Sequence, residues 1–260
     1  MKKGVLKLMT VIAALTAASC QNHSDTGFTV TGEIENVDDG YLMLFFKSNI
    51  DGSTTTIAVD TLKNGRFEFK APAETGVKYH IIAPHLGIFP SMTVDFYVEP
   101  GAEIKITGKD YLTRNWTIKT DVKEQKIYQS YLDEVSELFR ELQLLELQCR
   151  KEGRSIDYLD LEKPCQAKID SIQLSWLKKQ SRISEPWMDL MLQSAKAARF
   201  YREKDILKQL QELWDGIDLK YRNTAKGRNI SNVLYPDGEP LKVGDAFPYE
   251  TEVSDLKGEI

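Results

Sequence analysis

The sequence predicts an α+β protein in which an antiparallel β-sandwich or small barrel of about seven strands precedes an antiparallel helical bundle and then an unfolded or single-strand C-terminal stub at 240–260. Two observations predict this class. Residues 28–112 hold short runs of β-branched and aromatic residues separated by turn residues, and residues 122–225 hold apolar residues at helical spacing. Segments 1–19, 20–27 and 240–260 have other compositions and are interpreted separately.

Residues 1–19 have the pattern of an export signal. Lys2, Lys3 and Lys7 precede an uncharged run of about 11 residues, which is too short to span a bilayer because spanning needs about 20. We therefore expect that this segment is removed from the mature protein. Removal of these three lysines would change the net charge of the chain, which is −5, to about −8. This acidic balance argues against nucleic acid as a partner.

The residues before Cys20 indicate a lipid anchor. Ala17, Ala18 and Ser19 followed by Cys20 resemble the bacterial lipobox, which implies cleavage before the cysteine and acylation of the new N-terminus. More than one acyl chain is enough for stable membrane anchoring. The alternative is an ordinary secreted protein cut near Ser19. Residues 20–27 are polar and unpatterned, as in a tether, and we expect His23 to be exposed.

The β segment, 28–112, shows the period-two alternation of half-buried strands. Its runs include "FTVTGEIE", "GYLMLFFK", "GRFEFKA", "TVDFYVEP" and "AEIKITG". In "RFEFK" the alternation predicts that Phe67 and Phe69 face a core and that Glu68 faces solvent. Asn64-Gly65 predicts a tight hairpin turn, because both central residues of that turn need positive φ.

The helical segment, 122–225, begins with a long apolar stripe that Gly153 ends. A second helix is predicted with Pro164 in its first turn, and a third starts near 184–186 and breaks near 203–205. The first stripe consists of Ile127, Tyr131, Val135, Leu138, Leu142, Leu145 and Cys149.

Cys149 and Cys165 remain if lipid occupies Cys20. They lie at the facing ends of two consecutive predicted helices, so a structural disulfide is one interpretation. Two separately buried thiols are the other. A redox-active pair is disfavoured because the Cys-x-x-Cys spacing is absent.

No catalytic residue, metal ligand or cofactor site is expected from the remaining motifs. His80 and His85 flank "IIAP", but a spacing of five puts them on opposite faces of a strand, so we expect ordinary, partly buried histidines. Phosphate-binding glycine loops and nucleophile-elbow motifs do not occur. An apolar loop framed by Pro84 and Pro90 suits packing on the helical segment, with ligand binding as the alternative.

The order of segments resembles a known family. The elements "VDTLKNGRFEFKAP" and "YVEPGAEIKITG", then helices, then "LKVGDAFPYETEVSDLKGEI", are similar to lipoproteins in which an N-terminal domain, of the domain of unknown function 4369 type, precedes a thioredoxin-like domain of the thiol-disulfide reductase or peroxiredoxin type. The match at 240–260 rests on Val243, Gly244, Asp245 and Pro248, then on Asp255 and Gly258. The redox cysteines of that family lie beyond this segment, so no catalytic residue is carried over and we do not expect an enzyme.

The resemblance implies a location and a role. We expect a non-catalytic lipoprotein module in the envelope of a Gram-negative bacterium, anchored to the membrane and facing the periplasm or the cell surface. It would bind an envelope protein partner or position a redox domain. The alternatives are a truncated thioredoxin-like reductase or peroxiredoxin and an adhesin or glycan-binding lipoprotein.

Overall fold

The structure is a computed structural model and describes residues 27–40, 42–49, 53–82, 93–110, 112–153 and 158–236. Within these ranges the fold is α+β, with eight strands and six helices, which confirms the predicted class. The strands come first and form two four-stranded sheets, and the helices follow.

The two sheets contain all eight described strands. The first sheet has the order β4-β1-β7-β8, and the second has the order β3-β2-β5-β6. All described strand pairs are antiparallel except β1 with β7, which is parallel. The strands are β1 (Gly27–Glu35), β2 (Leu42–Ser48), β3 (Thr54–Thr61), β4 (Arg66–Pro72), β5 (Lys78–Ile82), β6 (Val94–Tyr97), β7 (Glu103–Lys109) and β8 (Thr117–Lys119).

One strand exceeds the predicted number. β8 pairs with β7, with Lys119 opposite Lys105, so the first sheet continues past residue 112. The sequence "TIK" is too short to show an alternation of its own, and only its pairing with β7 reveals that it is a strand.

An aromatic core fills the space between the sheets. Phe45 stacks on Phe69 with ring centroids 4.8 Å apart and on Phe96 with centroids 5.8 Å apart. Phe67 and Phe69 are buried while Glu68 is exposed, as the alternation predicts. Each such ring contributes about 1.5–3 kcal/mol when it is fully buried.

The tight turn at Asn64-Gly65 forms as predicted, closed by the Lys63–Arg66 bridge, but β3 and β4 belong to different sheets, so the turn connects the two sheets and does not close a paired hairpin. Asn64 and Gly65 have φ values of 50° and 72°. Both values fall in the left-handed region, which Asn and Gly adopt at the lowest cost.

The helices pack into a second core. They are α1 (Lys123–Lys151), α2 (Tyr158–Lys179), α3 (Glu185–Phe200), α4 (Lys204–Asp215), α5 (Leu219–Arg222) and α6 (Ala225–Leu234). Trp187 and Trp214 are fully buried and stack with centroids 6.3 Å apart. Three residues of the predicted α1 stripe, Tyr131, Val135 and Cys149, are buried.

The helix boundaries agree with the sequence at three of four places. Gly153 follows α1 with φ of 63°, Ser184 caps α3 by accepting a hydrogen bond from Trp187 N, and α3 and α4 are separated at 201–203. Pro164 was expected in the first turn of α2, but the helix begins earlier, at Tyr158, so the proline lies inside it. A proline is favoured in the first turn because an interior position loses one backbone hydrogen bond, but this helix tolerates that loss at Pro164.

In the part of the chain that the structure describes, no helix is long and apolar enough to cross a bilayer.

Candidate functional site

The second sheet has one face in the sandwich core and an outer face that points toward the helices. On β5 and β6, Tyr79 and Phe96 lie in the sandwich core, whereas Tyr97 packs with the helical core. Because strand side chains alternate, His80 and Asp95 lie on the outer face beside Tyr97. The outer face is therefore a junction between the two layers of the molecule.

Polar contacts fix the helices onto this face. The Tyr97 backbone N–H donates to Gln125 Oε1 at 3.0 Å, and its hydroxyl donates to Asp189 Oδ2 at 2.6 Å. Lys226 Nζ lies 2.6 Å from Asp189 Oδ1 and 2.8 Å from Glu185 Oε2. These contacts join β6, α1, α3 and α6, so the sheet and the bundle are held in one arrangement.

A cleft of about 270 Å³ lies between the outer face and helices α3 and α6. We call it the junction cleft. Its sandwich side is formed by Ser48, Asn49, Gly76, Val77 and Lys78, and its helical side by Asp189, Leu192, Gln193, Lys196 and Lys226. A shallower groove continues from Ser48, Asn49 and Val77 along α6, where Arg228, Asn229 and Asn232 line it.

The charges of the junction cleft differ from those of the whole chain. Lys226 is nearly buried, and burial alone would lower its pKa, but the carboxylates of Asp189 and Glu185 outweigh burial and raise it. Lys226 therefore stays charged and neutralised. Lys196 is exposed and forms no ion pair with any residue in the described ranges. The rim of the cleft is thus locally positive in a chain of net charge −5.

A hydrogen-bond chain of three side chains crosses the outer face and ends at the junction cleft. Ser48 Oγ contacts His80 Nε2, and His80 Nδ1 lies 2.8 Å from Asp95 Oδ1. Ser48, His80 and Asp95 come from β2, β5 and β6, three neighbouring strands. We call this chain the Ser48 relay.

The buried end of the relay holds an ionised carboxylate. Burial raises the pKa of Asp95, but the hydrogen bond from His80 and the positive charge of Lys78 outweigh it, so the pKa lies well below its ordinary value. Thr93 Oγ1 also donates to Asp95 Oδ1, and Tyr128 OH donates to Oδ2 at 3.4 Å. An ionised carboxylate only accepts hydrogen bonds, so His80 donates from Nδ1, and in the neutral imidazole Nε2 is then the acceptor for the Ser48 hydroxyl.

The residues singled out in the sequence are only partly within the described ranges. Cys20, His23, His85, the apolar loop between Pro84 and Pro90, and segment 240–260 lie outside them. Cys149 is buried and Cys165 is half-buried, and both thiols are free. Their bridge stays a prediction. Among the described residues no group of three or more His, Cys, Asp or Glu side chains is placed to hold a metal ion.

Ser48 and Asp95 were not predicted as site residues from the sequence. His80 was noted only against His85, its neighbour in sequence, whereas its structural partners lie 32 and 15 residues away. The available signal was the alternation on β5 and β6, which puts His80 and Asp95 on the face opposite Tyr79 and Phe96. The strand order needed to pair them could not be read from that alternation.

Comparison with known proteins gives a family match for the β domain. Residues 28–128 match the family described as "Domain of unknown function (DUF4369)". No curated protein matches the chain. A solved structure titled "Trapped Toxin" is similar to part of the chain at 11% identity, with a TM-score of 0.19, over 37% of this chain and 24% of that one. This match covers the β domain and the start of α1.

Proposed function

We propose that this protein is a lipid-anchored module of the bacterial cell envelope that binds an acidic polypeptide segment in the junction cleft. The observation that carries the proposal is the cleft itself, which lies where two rigidly joined layers meet and has a positive rim. Recessed sites between packed units are common places for recognition, because their walls are held by both units.

The lining of the cleft favours a polypeptide over a small apolar ligand. Gln193, Asn229 and Asn232 bring side-chain amides, which can donate to and accept from a peptide backbone. Lys196 and Arg228 bring cations on either side of these amides, and carboxylate side chains of a partner would complement them. Leu192 and Val77 supply a small apolar surface between them.

The lipid anchor and the redox context rest on the sequence. Cys20 in its lipobox-like setting supports acylation, and the resemblance of segment 240–260 to the start of a thioredoxin-like domain supports a module that positions such a domain. In this proposal thiol-disulfide chemistry belongs to that domain, and Cys149 and Cys165 are structural.

Charge reversal at the rim tests the binding proposal. Lys196→Glu and Arg228→Glu should each weaken binding of a fluorescent glutamate-rich peptide about tenfold, while a glutamine counterpart of the peptide should bind poorly to every variant. Binding should also weaken as salt is raised, because exposed charges are screened. The measurement is fluorescence anisotropy.

Lys168→Glu is the matched control, since Lys168 is exposed on α2 and does not line the cleft. Equal weakening by Lys168→Glu would show that only the net charge matters. In that case, or if no variant changes the affinity, the cleft is not the binding site.

A further inference from the structure

We propose that Ser48 is an activated nucleophile that accepts an acyl group from a small ester in the junction cleft. This inference goes beyond partner recognition and departs from the expectation of a non-catalytic module. It rests on the Ser48 relay, on the direction in which the relay points, and on the cleft at its open end.

The relay has the connectivity that activates a serine hydroxyl. Asp95 accepts from His80 Nδ1–H at 2.8 Å, which leaves Nε2 as the acceptor for the Ser48 hydroxyl. A base held in this tautomer by a buried carboxylate can take the serine proton as the oxygen attacks. The three residues need no shared sequence motif for this, because geometry and roles define such a relay.

The relay has a buried end and an open end. The side chains of His80 and Asp95 are only 13% and 14% exposed. Ser48, in contrast, lines both the junction cleft and the groove that continues from it. The carboxylate is thus shielded from water, which strengthens its hold on the imidazole, while the hydroxyl meets whatever enters the cleft.

The strands that carry the relay are held rigidly. β2, β5 and β6 are adjacent and paired, with Phe46 opposite His80 and His80 opposite Asp95. Thr93, just before β6, and Tyr128 of α1 both donate to the Asp95 carboxylate and fix its position. A site built on paired strands keeps its reacting groups in register better than one built on loops.

The chemical step balances as acyl transfer without any redox partner. Ser48 Oγ forms a bond to the carbonyl carbon of the ester, its proton passes to His80 Nε2, and one electron pair of the C=O bond moves onto the oxygen. When the C=O bond reforms, the bond to the alcohol oxygen breaks and that oxygen takes the proton from His80. Water then releases the acyl group from Ser48 by the same two proton transfers.

The cleft also contains cations that can stabilise the negative oxygen. Lys78 and Lys196 line it together with Ser48, and Lys78 Nζ lies 3.9 Å from Asp95 Oδ2, close to the relay. Positive groups near a developing oxyanion lower the barrier to attack. A cleft of about 270 Å³ admits a small acyl group.

Covalent labelling of the full chain tests the proposal. A fluorophosphonate should add to Ser48 of the wild-type protein, with the modified peptide identified by mass spectrometry. Ser48→Ala should abolish the labelling, and His80→Ala should slow it at least about 100-fold, the usual contribution of a general base. Ser175→Ala is the matched control, because Ser175 is exposed on α2 and should leave the labelling unchanged.

A second variant keeps the test independent of folding defects in His80→Ala. In Ser48→Cys the relay would activate a thiol, so iodoacetamide should alkylate the introduced thiol at least about tenfold faster than it alkylates the thiol introduced by Ser175→Cys. Absence of fluorophosphonate label on Ser48 of the folded wild type, or equal alkylation rates at the two positions, would show that the hydrogen bonds of the relay only stabilise the fold, and would overturn the proposal.

The two proposals fail separately, because Arg228 lines the groove and takes no part in the Ser48 relay. Arg228→Glu should weaken peptide binding and leave the labelling of Ser48 unchanged.

Discussion

Asp170 and Glu203 form a carboxyl pair in the helical core. The residue Asp170 is 3% exposed, and one oxygen of each carboxyl group has no hydrogen-bond partner among the residues that the structure describes. Burial raises the pKa of Asp170 to about 6, and the neighbouring Glu203 charge adds to this, although a hydrogen bond from Gln166 opposes it. Two neighbouring buried carboxyl groups share a proton more readily than they both ionise.

This pair predicts a specific pH dependence of stability. The pKa of Asp170 is raised from its ordinary 3.8 to about 6 in the folded protein. The favourable contribution of protonated Asp170 to the free energy of unfolding is therefore complete below pH 3.8 and is lost as the pH rises through about 6. Asp170→Asn cannot ionise and should be more stable than the wild type by about 1–3 kcal/mol at pH 8.

Urea unfolding at both ends of this pH range measures the effect. The gain of Asp170→Asn should shrink toward zero near pH 4. Asp205→Asn, at an exposed position of α4, is the control and should show no such trend. A constant difference between wild type and Asp170→Asn at all pH values would contradict the account.

Gly32 on β1 is the second residue with a sharp prediction. A Cβ atom at this position would lie 1.8 Å from the ring atom Cε1 of Phe67, so the ring would have to leave its place in the sandwich core. Gly32→Ala should therefore destabilise the protein by about 1–3 kcal/mol.

Gly216→Ala is the control, because a Cβ atom at this position would lie 3.5 Å from the nearest atom, Leu213 O, and its φ of −75° suits any residue. Both variants can be compared by urea unfolding. Equal stability of Gly32→Ala and the wild type would show that Phe67 is not packed as described.

At the scale of elements, α1 and α2 form the hairpin that carries Cys149 and Cys165. The two helices pack together, and both thiols are free in the structure. We predict that they form a disulfide in an oxidising compartment, which would close a loop of about 15 residues and contribute about 3 kcal/mol.

The non-reduced protein should then have a mass about two daltons below that of the reduced sample, the mass of two hydrogens. Cys149→Ser should remove this difference and lower the unfolding midpoint. Identical masses before and after reduction of protein from the oxidising compartment would contradict the disulfide and show that Cys149 and Cys165 are two separate thiols.

Elements with strong local patterns were predictable from the sequence. The tight turn at Asn64-Gly65, the alternation in β4 and the apolar stripe of α1 each depend on the chemistry of neighbouring residues, whereas the placement of β3 and β4 in different sheets does not. β8 and the start of α2 were not, because a three-residue strand and a proline inside a helix are decided by their packing partners.

The candidate site was less predictable than the fold. The junction cleft exists only because α3 and α6 cover the outer face of the second sheet, and the Ser48 relay exists only because β2, β5 and β6 are neighbours in that sheet. Strand order is set by tertiary packing, so residues that meet across three strands carry no spacing signal in the sequence.

At the scale of the whole molecule, the sandwich and the bundle act as one unit because buried polar contacts join them. Tyr97, at the end of β6, bonds to both α1 and α3, and Tyr128 of α1 bonds back to Asp95 of β6. Breaking such contacts leaves buried groups unpaired, which costs more than the bond itself. The shape of the junction cleft is therefore coupled to the stability of both layers.

The proposed anchor makes a prediction about the location of the protein. Cells fed an alkyne-labelled fatty acid should incorporate the label into the wild-type protein, which should fractionate with membranes, whereas Cys20→Ser should lose both properties. Cys149→Ser is the control and should keep both. Incorporation of the label into Cys20→Ser would show that the lipid is attached at another residue. Absence of the label from the wild-type protein would support the alternative of an ordinary secreted protein.

The measurement that tests the central claim most directly is an NMR titration of the isotopically labelled protein with the glutamate-rich peptide. We predict that amide shift changes concentrate around the junction cleft, at Gln193, Lys196, Arg228 and Asn232, and saturate with one peptide per protein. Changes that concentrate instead on the opposite side of the sandwich, around Lys63 and Lys105, or no changes at all, would contradict the assignment of the cleft as the binding site.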